Sequence, residues 1–198
     1  MSGILDLVND ALGGDNSRAI GERIGANPQA TQGAIAAALP MILAGLTRNA
    51  QEPGGADALH QALARDHDGG LLDNLGGLFG GATGGKATDG GGILGHVLGG
   101  RREVANQAVA KAGGIDAAQA AQLMAILAPI VMGALGRAQR QQGLDSSGLT
   151  RSLQGASESH AQAQPDLMGF ANRMLDKNGD GSGLDEIVGG LGKLFGGR

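Results

Sequence analysis

Two apolar segments, each interrupted by a proline, constrain this chain more than anything else in it. They read "ALPMILAGLTRNA" at 38–50 and "LAPIVMGALGRAQ" at 127–139. They align through Pro40 and Pro129, and in that register Ile42 matches Val131, Leu46 matches Leu135 and Arg48 matches Arg137. Each segment follows a helix-start signal. Asn27 before Pro28 is an N-cap with proline at the first helical position, and Asp116 with Gln119 makes a capping-box pattern. Each helix meets its proline about three turns in, where the missing hydrogen bond is expected to bend it. Residues 34–46 and 123–135 are apolar on every side, so both are expected to lie buried as paired core helices.

A second match follows the first. "DHDGGLLDNL" at 66–75 lies over "NGDGSGLDEI" at 178–187, pairing Asp68, Gly69, Leu72 and Asp73 with Asp180, Gly181, Leu184 and Asp185. The helices match at an offset of 89 and the loops at 112, and the polar stretch 141–164 can hold the extra residues. Both halves close alike, with "LGGLFGG" at 75–81 and "LGKLFGG" at 191–197. The expected organisation is therefore two diverged helical copies, 1–79 and 93–198, joined by a linker over 80–92 that is flexible by composition. Apolar spacing is helical throughout and no stretch alternates as a strand would, so the fold class is all-α with at least eight helices.

Composition narrows the chemistry. The 198 residues include three Phe and neither Trp nor Tyr, so Ala, Leu, Ile, Val and Met must pack the core. The 39 glycines are roughly three times the usual share of about 7%, and they punctuate apolar segments. Without cysteine there is no disulfide, thiol catalysis or zinc–thiolate site. A formal charge of −4 and the scarcity of aromatics argue against nucleic acid. The opening "MSGILDLVNDALGG" has acids within its apolar pattern and reads as an amphipathic helix, not a signal peptide. The two longest apolar runs are short for a bilayer, so no transmembrane segment and a cytoplasmic location are expected.

One stretch looks like a chemical address: "LDKNGDGSGLDEI" at 175–187. Asp176, Asn178 and Asp180 stand at positions one, three and five of an EF-hand loop. Gly181 permits the turn at six, and Ser182 offers a carbonyl at seven. The twelfth position should be glutamate and is Ile187, with Glu186 one residue early. Two readings fit. A loop shortened by one residue could bring Glu186 to a calcium ion, weakly, near ~10⁻⁴ M. Equally, Asn–Gly and Asp–Gly turns followed by acids cap a helix without metal. The matching upstream loop, 64–74, has Ala64 and Asn74 where the later one has Asp176 and Glu186.

Other motifs read as packing or punctuation. "GGATGGKA" at 80–87 has Ala87 where a phosphate loop needs Ser or Thr, and "GGGILG" at 90–95 fits a dinucleotide pattern. Both lack the strand that should precede them. His96 is expected to pack in the core or on the surface, Arg101–Arg102 to start a solvated helix, and His60, His67 and His160 stand apart from nucleophiles at catalytic spacing.

"DHDGGLLDNLGGLFGG", "DGGGILGHVLGG", "LAPIVMGALGR" and the late "DKNGDGSGLDEIVGGLGKLFGG" together resemble the bacterial YidB-like family of uncharacterised proteins. The resemblance covers nearly the whole chain. It implies an all-helical domain with no assigned enzymatic activity, and a late Asp-rich loop, here Asp176–Glu186, often with its acid one place early. The leading expectation is a non-enzymatic scaffold or interaction protein that docks on a protein partner or on itself, with a weak structural calcium loop. The alternatives are a calcium-responsive binding module and an envelope- or membrane-surface protein using Ile4, Leu5, Val8 and Leu12.

Overall fold

The computed structural model describes residues 3–79 and 88–163. Helices α1 (Ile4–Leu12), α2 (Asp15–Ile24), α3 (Pro28–Gln51), α4 (Gly55–Asp66) and α5 (Leu75–Phe79) form the first part, with a 3-10 turn over Gly70–Asp73. Helices α6 (Gly90–Leu98), α7 (Arg102–Gly113), α8 (Ala117–Gln142) and α9 (Ser146–Ala163) form the second, with a 3-10 turn over Gly99–Arg101. No strand occurs among the described residues. The fold is all-α.

The two long helices begin where their caps demand. Asn27 accepts a hydrogen bond from the Ala30 amide at 2.9 Å. Asp116 accepts from the Gln119 amide at 2.8 Å, while the Gln119 side chain accepts from the Asp116 amide at 3.0 Å, which completes the capping box. The preceding helices end on left-handed glycines, Gly25 and Gly114, a backbone region that side chains with a Cβ rarely adopt. Both helices run on through their internal prolines.

α3 packs against α7, α8 and α9, and α8 against α3, α6 and α7. Ile42, Leu43 and Leu46 from α3 meet Leu123, Leu127, Ile130, Val131 and Leu135 from α8 in one core. Burial on every side of these segments follows from their sequence, since neither has a polar face to offer water. The helices extend past the apolar runs to 24 and 26 residues, long and apolar enough by length and composition to cross a membrane. That corrects the expectation that they fall short. In this fold the most apolar window of each is mostly buried, 61% in α3 and 72% in α8.

The structure adds detail at three other stretches. Within the polar stretch 141–164, residues 146–163 form α9, whose Leu149, Leu153 and Ala156 stripe is buried against the body. Its apolar residues are few, but they fall on one face. The apolar face of α1 turns inward, with Ile4, Val8 and Leu12 in the core at 5%, 1% and 8% exposure. The glycine-rich stretch 80–92 is helical in its last three residues, where α6 begins at Gly90; residues 80–87 lie outside the described ones.

Candidate functional site

The later Asp-rich loop, with Asp176, Asn178, Asp180, Ser182 and Glu186, lies outside the described residues. Its sequence match, 66–75, is described in full. α4 ends at His67, and Gly69 adopts a left-handed conformation at φ 92° that turns the chain into the 3-10 segment. Asp68 accepts a hydrogen bond from the Gly70 amide at 3.0 Å and fixes that turn.

α8 holds this loop. Arg137 donates through Nη2 to the Gly69 carbonyl at 2.9 Å and to the Asp73 carboxylate at 2.5 Å. Arg140 donates to Asp68 at 3.3 Å. A Cβ on Gly69 would sit against the backbone of Arg137, and one on Gly136 would fall on the His67 carbonyl. A glycine on each side thus lets loop and helix touch closely. The Arg140–Asp68 pair is more than half exposed on both sides and adds little. Arg137, at 23% side-chain exposure, is the stronger tie, because it bonds a carbonyl and a carboxylate at once. His67 is buried at the junction, and that burial lowers its pKa, against an opposing pull from Asp66.

Chemically, the arrangement is an acidic turn neutralised by cations of its own chain. It does not fit a metal: Ala64 and Asn74 remove two of the ligands, and guanidinium groups stand against Asp68 and Asp73. Among the described residues no three His, Asp or Glu side chains converge as metal ligands would. Sequence reading paired Arg137 with Arg48 by alignment but did not connect Arg137 to the loop 68 residues away. The one available signal was the Gly–Arg pair at 136–137, a small residue beside a cation at the end of the long apolar run of α8.

The remaining sequence candidates are dispersed. In "GGGILG" the start of α6 already has its cap, since Asp89 accepts from the Gly92 amide at 2.9 Å. A carboxylate there repels a phosphate. Gly90 is required for a different reason, because a Cβ would collide with the Ala125 backbone of α8. "GGATGGKA" lies outside the described residues. His96 is exposed, its ring nitrogen 3.2 Å from the Gly92 carbonyl, and does not pack into the core. His60 lies 3.2 Å from the Leu144 carbonyl, between α4 and the start of α9. Arg102 begins α7 as expected. A surface cleft of about 660 Å³ is lined by Arg23, Asp89, Gln122 and apolar neighbours, and Asp89 is engaged by its capping role.

An all-helical body, capped proline helices and the arginine-held "DHDGGLLDNL" turn are the features to set beside known proteins. The chain belongs to DUF937, a bacterial protein family of unknown function. The family profile matches residues 6–138, from α1 through most of α8, and therefore includes both the 66–75 loop and Arg137. This agrees with the resemblance to YidB-like proteins. No curated protein and no solved structure matches the chain.

Proposed function

We propose that this DUF937 member is a non-enzymatic helical scaffold or interaction protein, built from two diverged copies of one helical unit, whose late Asp-rich loop binds calcium structurally. The observation that carries this reading is the 66–75 loop: its acids receive cations in order to fasten one part of the helical body to another. Support for two copies comes from features that recur 89 residues apart. These are the helix-ending glycines Gly25 and Gly114, the caps Asn27 and Asp116, the prolines 40 and 129, and the left-handed Gly54 and Gly143.

The later loop differs from the earlier one in charge. It has Asp176 and Glu186 where the earlier one has Ala64 and Asn74, and the helical position matching Arg140 is Gln51. More acid faces fewer cations. A hard divalent ion bound by Asp176, Asn178, Asp180, the Ser182 carbonyl and Glu186 offsets that surplus. The incomplete acid set implies stabilisation of the loop, not a switch of the whole protein. Calcium at millimolar concentration should raise Tm relative to chelator, because only the folded loop presents the ligands. Asp176→Ala with Asp180→Ala should abolish the shift. A parent protein indifferent to calcium would remove the metal from this reading.

A further inference from the structure

The C-terminal half of α3 contains two polar atoms that no described residue satisfies. Thr47 Oγ1 and Arg48 Nη1 are both buried and have no hydrogen-bond partner among the described residues. A buried donor left unpaired is costly, so such groups ordinarily have a partner. The sequence match says which. At an offset of 89, Thr47 corresponds to Gly136, Arg48 to Arg137 and Ala44 to Gly133. Those α8 residues hold the 67–73 turn: Gly136 faces the His67 carbonyl, Arg137 binds Gly69 and Asp73, and Gly133 packs on Leu72.

We propose that α3 is the docking surface for the chain's own residues 179–185, seated there as residues 67–73 are seated on α8. Arg48 donates to the Gly181 carbonyl and the Asp185 carboxylate, the counterparts of Gly69 and Asp73. Thr47 donates its hydroxyl to the carbonyl of Gly179, the counterpart of His67. Where α8 uses a glycine to let that carbonyl touch the helix backbone, α3 uses a hydroxyl to meet it. Charge agrees, since residues 179–185 carry Asp180 and Asp185 and Glu186 follows them, opposite in sign to Arg48. So does reach. α9 packs on α3, and residues 164–178 lie between its end and the proposed seat. Fifteen residues span up to about 50 Å when extended, more than the length of α3. The inference shares the loop match with the functional reading but does not need calcium.

The chain has no cysteine, so an engineered pair is unambiguous. In the full chain, Ala44→Cys with Leu184→Cys, oxidised in chelator, should give an intramolecular disulfide, seen as faster migration without reductant and a mass lower by two hydrogens. Gln32→Cys, exposed on the first half of α3, should not cross-link to the same partner. A folded A44C/L184C protein that stays reduced, links only between molecules, or links no better than the Gln32 control overturns the proposal. Should that pair fail to fold, a double-mutant cycle decides. Arg48→Gln should lower Tm by about 3–6 °C, and Asp185→Asn should then add almost nothing; additive losses overturn the proposal. A cross-link without a calcium shift would leave this docking standing and remove the calcium reading. A calcium shift without a cross-link would do the reverse.

Discussion

α3 and α8 begin alike and diverge in how they receive their neighbours. Each starts at a capped position two residues after a left-handed glycine and contains an internal proline, and each is followed by another left-handed glycine, Gly54 or Gly143. Their interior glycines stand at different places. Gly45 of α3 admits α6, since a Cβ there would press on Val97 and Leu98. Gly136 of α8 admits the end of α4 through the His67 carbonyl, and Gly133 admits Leu72. The apolar pattern is shared and buries both helices. The position of a missing Cβ decides which neighbour comes close.

The largest test asks whether the two helices are equally central. Leu46 and Leu135 match in sequence and are both essentially inaccessible, at 2% and 0% exposure. Leu46→Asp and Leu135→Asp should each cost more than about 4 kcal/mol and abolish cooperative thermal unfolding, because an unpaired charge in this core has no compensation. A cooperative, near-native melt for either would make that helix peripheral and break the comparison.

Next comes the placement of glycine. Gly136→Ala should destabilise by about 1–3 kcal/mol, since its Cβ meets a backbone carbonyl that cannot turn aside without moving α4. Gly45→Ala should cost less, because its tightest contact is the Val97 side chain, although the Val97 carbonyl also lies near, at 2.9 Å. Urea midpoints in the opposite order would mean that α6, not the α4 turn, is the rigid neighbour.

The caps should give smaller and unequal effects. Asn27→Ala is expected to cost about 1 kcal/mol. Asp116→Ala combined with Gln119→Ala should cost more, because the pair removes both bonds of the box together with the Gln119 side chain that donates to the Gly25 carbonyl at 3.0 Å and ties the start of α8 to the end of α2. Equal losses would show the box to be no better than a single cap.

The smallest effect is a pH dependence confined to the α4–α8 side. Burial lowers the pKa of His67 from 6.5, so the unfolded chain binds that proton more readily than the folded one. Its contribution is complete above about pH 6.5 and falls as acid carries the solution through the lowered pKa. Stability should therefore decline between pH 7 and 5, and His67→Gln should flatten the decline. Asp145, lowered by its bonds to the Gly148 amide and the Ser147 hydroxyl, adds its loss only in more acidic solution.

Sequence alone determined what is local. Asn27, Pro28, Asp116 and Gln119 marked the starts of α3 and α8, because a cap acts on amides within three residues of itself. The continuous apolar runs named the core, because a helix without a polar side has to be covered. The amphipathic α1 was legible as a helix, yet not what its apolar face would meet. α9 was obscured because Leu149, Leu153 and Ala156 are few among many polar residues. Tertiary structure alone decided that Arg137 reaches Gly69 and Asp73, that Gly136 faces His67, and that α1 turns inward. Such choices rest on the fit of surfaces far apart in the chain, where steric match and the pairing of polar groups select a partner that no local pattern encodes.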